Sequence, residues 1–259
     1  LPDGLGGTDQ ITSITGALYA GRQTLEEMIG PVKADYECVC FRAGGFYAQP
    51  SDEIIPALKR AGLKADTSVV PGYRTDTPFE VDYSAVRTDK SFWWTTDAQL
   101  TSEGRPGEHV LELPVASRME PYWNSFKPAK LRAAVQRRRV ERASRNGQAD
   151  DGGERISSVP SWQTVLRKMR TRHASTFDFC KLSCRDMLGR LRELDGPGER
   201  PVIMIGHSKD FVNDRHFERF LDAASRRGSV RFATMAEAVN RALDASGSPS
   251  PAGVTDADR

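Results

Sequence analysis

The apolar run Cys38–Val39–Cys40–Phe41 is stopped by Arg42 and by the pair Gly44–Gly45, and a helical pattern follows from Ser51 to Ala61. A short apolar run bounded by turn residues reads as a strand buried on both faces. The helix behind it has legible ends. Ser51 is placed to cap it, Asp52 and Glu53 occupy its first turn, Lys59 and Arg60 its last, and Gly62 follows. Ile54, Ile55 and Leu58 form its apolar stripe, and Pro56 is expected to kink it. Two more stretches have the strand pattern, Asp66–Val70 before Pro71–Gly72 and Val202–Ile205 before Gly206–His207. Three such strands, each next to a helix, predict a parallel α/β core, barrel-like or open. In such folds functional side chains gather at the carboxyl ends of strands. Arg42 and His207 are therefore the first candidates.

Around this frame the spacing predicts a helix over Ile11–Ile29, with a break near Gln23 because Thr24 and Glu27 have capping-box spacing. Ser91–Thr95 and His109–Val115 read as β pieces that pair locally in an insertion or rim hairpin. Within the second, Glu112 alternates with Leu111 and Leu113, which predicts a solvent-facing side chain. A basic helix is expected over 128–145 and a polar loop over 146–158. Helices follow around Trp162–Arg170, Ser183–Leu194, 212–227 and 235–243, with a strand over Val230–Ala233 before the last. The Ser/Pro/Gly/Asp-rich end, 244–259, is expected to be disordered, leaving one domain over 1–243 with an insertion at about 73–175.

A net charge of +2 does not predict steering of nucleic acid, and a solvated face is the simpler reading of the basic helix. No run is apolar enough to span a bilayer. Cys38 and Cys40 fall on one face of a strand, and Cys180 and Cys184 on one face of a helix. Cys38-x-Cys40 is too tight for a zinc pair, so buried free thiols are expected, which leans towards a cytoplasmic protein.

Phe41–Phe46, Gly62–Val69, Leu111–Val115, Met204–Lys209 and Arg231–Met235 together resemble, in order and spacing, the polysaccharide deacetylase (NodB-like) family. The resemblance covers roughly residues 14–243. It implies an irregular (β/α) barrel and metal-dependent removal of an acetyl group from an N- or O-acetylated sugar or polysaccharide. It gives Arg42 the role of orienting and supporting a catalytic Asp, and His207 that of the acid that protonates the leaving group. An imidazole suits that task because it titrates near neutrality. The amide of Gly44 or Gly45 would stabilise the oxyanion. Asp66 would orient His207 or contact substrate. Trp94 and Trp123, with Trp93 and Tyr122 nearby in sequence, are candidate sugar platforms, and core packing is their plainer reading.

The family binds a divalent metal, most often zinc, through one Asp and two His. Its Thr-Phe-Asp-Asp-Gly and His-x-x-x-His motifs do not occur here, where the histidines are His109, His173, His207 and His216. Those ligands, and the first strands of the barrel, are therefore expected upstream of Leu1, and the chain alone is expected to be inactive. The alternative is a non-catalytic glycan-binding or assembly protein built on the same fold.

Overall fold

The structure, a computed structural model, describes residues 13–107, 109–126, 171–196, 198–207 and 214–245. The expected basic helix, the polar loop, the helix around Trp162–Arg170 and residues 246–259 lie outside them.

Helix α1, Ile14–Ile29, is capped by Ser13, whose Oγ accepts from the Gly16 amide at 2.9 Å. It runs through Gln23 without the expected break. Thr24 does not cap a new helix; its hydroxyl donates back to the Ala20 carbonyl at 2.9 Å. Helix α2, Ser51–Arg60, contains Pro56. Ser51 is its first residue and not its cap, and the Ser51 hydroxyl donates to Ala48 O at 2.8 Å. The far end of α2 closes as the sequence predicts. Gly62 has φ +73°, its amide donates to Lys59 O, and the Leu63 amide reaches Leu58 O, a Schellman ending.

Strands β1 (Cys40–Phe41), β2 (Ala65–Asp66), β5 (Trp93–Trp94) and β6 (Leu111–Glu112) form a mixed sheet in the order β1-β2-β6-β5. β1, β2 and β6 are parallel, and β5 is antiparallel to β6. Phe41, Asp66 and Glu112 share one register row. β5 and β6 thus pair as expected, but β6 is no rim hairpin: it lies inside the sheet beside β2. Beyond β6 the segment 203–205 continues the parallel arrangement, with bridges Val115↔Ile203 and Asp178↔Ile205. Two antiparallel pairs flank the sheet, β3 (Arg74–Thr75) with β4 (Val81–Asp82), and β7 (Ser117–Pro121) with β8 (Arg172–Thr176).

Three helices complete the described residues: α3 (Cys184–Leu194), α4 (Arg215–Ser225) and α5 (Met235–Ala245). Ser183 caps α3, so Cys180 lies before that helix and does not share its face with Cys184. All four cysteines are free and half-buried. Val230–Ala233 forms no strand. It leads into α5 through a capping box in which Thr234 Oγ1 accepts from Glu237 N and Glu237 Oε2 accepts from Thr234 N.

The sheet is covered on both faces. Val39, Ala65, Leu111 and Leu113 pack with Val239 and Ala242 of α5, while Val69, Val70 and Val115 belong to a second cluster with Ile55 and Leu58 of α2. A third cluster joins α3 to α4 through Met187, Leu191, Phe220 and Ala224. No described helix is long and apolar enough to cross a membrane.

Candidate functional site

The segments ending at Phe41 and at Ile205 run in the same direction, so Arg42 and His207 emerge at the same end of the sheet. Arg42 is exposed and has no ion-pair partner among the described residues. The turn behind it, Gly44–Phe46, needs glycine: Gly45 has φ +62°, and a Cβ there would run into the Tyr47 ring. Neither the Gly44 nor the Gly45 amide donates to a carbonyl among the described residues. The turn therefore presents two N–H groups next to a cation.

This loop is tied to the sheet by a buried relay. The Ala43 amide donates to Ser68 Oγ at 2.8 Å, and Ser68 Oγ donates to Asp66 Oδ1 at 2.8 Å. The Ser68 amide donates to Asp66 Oδ2 at 2.8 Å. One strand further, Glu112 Oε1 accepts from the Val69 amide at 3.1 Å. Asp66, Ser68 and Glu112 are all fully buried. Glu112 is thus not on a solvent side. The Leu-Glu-Leu alternation misleads because both faces of β6 are covered.

Burial pushes the Glu112 carboxyl well above its usual range, and the neighbouring Asp66 charge and the bond between the two acids push it further. Burial also raises Asp66, against the opposing bonds from Glu112 and Ser68. Glu112 Oε2 is buried and has no hydrogen-bond partner. Asp66 spends its acceptors on Ser68 and Glu112, and no bond to His207 is among them. Cys40, beside the pair, is also pushed up by burial and by the two acids.

His207 is exposed, and its carbonyl accepts from the Cys180 thiol at 3.5 Å. Gly206 before it allows close packing, since a Cβ there would meet the Phe179 ring. Trp94 is buried in the sheet cluster facing α5, and Trp93 is buried with its Nε1 donating to Leu100 O at 2.8 Å. Trp123 is 55% exposed in the turn Tyr122–Phe126, so it alone of the three offers a large open face.

Among the described residues no three His, Cys, Asp or Glu side chains converge to hold a metal. Ser68 and Glu112 were not among the sequence candidates. Asp66-x-Ser68 has the spacing of a side-chain-to-backbone turn and could have signalled Ser68; nothing local signals Glu112. No known protein family, curated protein or solved structure matches the chain.

Proposed function

We propose that this chain belongs to a carbohydrate deacetylase-type hydrolase of NodB-like (β/α)-barrel architecture, acting on an N- or O-acetylated sugar. The observation that carries the reading is the shared end of the parallel segments. It brings Arg42, two unbonded loop amides and His207 to one side of the sheet. When a base takes a proton from water and the water oxygen adds to an acetyl carbonyl, the carbonyl oxygen becomes an anion. The Gly44 and Gly45 amides are the donors for it, and the Arg42 guanidinium supplies the positive field. Collapse breaks the C–N or C–O bond and leaves acetate, while the His207 imidazolium passes its proton to the departing nitrogen or oxygen. Asp66 acts at one remove, holding the Arg42 loop through Ser68. Trp123 is the sugar-facing aromatic, and Trp94 supports the sheet from within.

An NMR titration with an N-acetylated glucosamine oligomer tests this. Gly44, Gly45 and His207 amides should shift together, and a fully deacetylated oligomer should leave them in place. Shifts confined to other surfaces, or none, would overturn the assignment. Binding without acetate release would reduce it to a glycan-binding protein. In a preparation that releases acetate, His207→Ala should lower kcat by about 10²–10⁴-fold with little change in KM.

A further inference from the structure

Away from the Arg42 loop, the start of β7 and the end of α3 enclose a cavity of about 210 Å³. On this measure one water needs about 10–15 Å³, so there is room for a ring-sized molecule and more than a lone ion needs. Its wall is a fixed set of guanidiniums. Arg190, 4% exposed, donates to the carbonyls of Ser175 and Thr176 at 2.8 Å each, to Ser175 Oγ at 2.6 Å and to Glu120 at 3.0 Å. Arg118 shares the same Glu120 oxygen at 2.6 Å and grips both oxygens of Glu193 at 2.6 and 2.9 Å.

Arg200, also on the wall, makes no hydrogen bond or ion pair among the described residues. Thr88 beside it likewise has an uncommitted hydroxyl. Asp89, the other acid on the wall, is paired with Arg87. The wall and its direct partners therefore comprise four arginines, Arg87, Arg118, Arg190 and Arg200, against three acids, Asp89, Glu120 and Glu193. One positive charge is left over, and Arg200, which acts on Asp89 through its charge but makes no hydrogen bond or ion pair among the described residues, is the least committed of the four. Ala116, Phe177 and Leu194 give the cavity an apolar side.

We infer that this cavity binds a singly charged carboxylate on a sugar-sized ring, of the hexuronate class, with Arg200 gripping the carboxylate and Thr88 donating to it. A planar guanidinium matches a carboxylate edge to edge, and one surplus cation matches one negative charge. The apolar side covers the carbon face of the ring, and the pre-ordered Arg118–Glu120–Arg190 frame needs no rearrangement. The site requires no acetyl chemistry, so its failure would leave the reading of Arg42 and His207 untouched.

The test is titration of the whole chain with sodium glucuronate, followed by calorimetry and by amide shifts. Glucose serves as the neutral control and inorganic phosphate as the anion control. Glucuronate should bind and shift Thr88 and Arg200, glucose should not bind, and phosphate should bind at least tenfold more weakly. Arg200→Gln, a change at an exposed residue outside the buried ion frame, should weaken glucuronate at least tenfold, and Thr88→Ala by a smaller factor. No glucuronate binding, equal affinity for phosphate, or an affinity unmoved by Arg200→Gln would each overturn the proposal.

Discussion

Two regions of this molecule bury carboxyl groups, and they do so in opposite ways. In the sheet, Asp66 and Glu112 lie on neighbouring strands, fully enclosed, with hydrogen bonds from Ser68 and Val69, and burial raises both. At β7 and α3, Glu120 is equally enclosed but meets two arginines. The first solution relies on hydrogen-bond donors and has no arginine beside it among the described residues, and it responds to pH. The second fixes a lattice of donors that holds its shape through charge. A carboxyl in a core therefore says little until its neutralising partner is identified.

Removing a partner separates the two most sharply. Arg190→Met keeps the volume but removes one of the two arginines that meet Glu120, and should cost about 3–5 kcal/mol in denaturant unfolding. A loss below about 1 kcal/mol would show that Glu120 does not depend on Arg190. Glu112→Gln, by contrast, keeps an oxygen for the Val69 amide and a donor for Asp66, so it should be close to neutral in acid. Its effect is on the pH slope. Raised acids hold protons in the folded state that the unfolded chain has released. The folded form thus binds more protons, and wild-type stability falls as pH rises above the ordinary glutamate range, by up to about 1.4 kcal/mol per pH unit for each extra proton. The fall ends once the folded acid ionises. Glu112→Gln should flatten it, and unfolding curves collected from about pH 4 to 8 measure both slopes. A wild-type slope as flat as that of the variant would break the comparison. The smallest effect is expected from Ser68→Ala, which strands the Ala43 amide and one Asp66 oxygen at a cost of about 1–3 kcal/mol. Hydrogen exchange at Ala43 should quicken with it, and unchanged protection would remove Ser68 from the control of the Arg42 loop.

The sequence made the local features readable. The Gly62 ending of α2, the helix from about Ser183 to Leu194 and the strand at Cys40–Phe41 follow from residues within a few positions of one another. What it hid was non-local. Leu111–Glu112 looks like half of a rim hairpin because β5 lies next to it in the chain, yet its parallel partner is β2, 46 residues earlier by register. Glu112 was misplaced for the same reason, since alternation reports one covered face and β6 has two. Of the candidate site, Arg42 and His207 could be named from strand ends alone, while Ser68 and Glu112 acquire meaning only through contacts that span the sheet. The metal, the sugar and the barrel rest on the resemblance and on the proposal built from it.

Helix α1 carries a last consequence. None of its residues is fully buried. Leu18 packs against the core, and polar bonds add to it: the Arg22 guanidinium donates to the carbonyls of Ala61 and Gly62, Glu26 accepts from the Cys38 amide, and Arg60 donates to Thr15 Oγ1. Arg22 and Glu26 also pair with each other. Such a helix behaves as a clasp and not as a wall. Because its catch sits on the first residues of the turn leading to β2 and on the entry to β1, the clasp restrains the two strands that carry Arg42 and Asp66. The rim of the protein is thereby tied, through the turn into β2, to a fully buried acid of the candidate site.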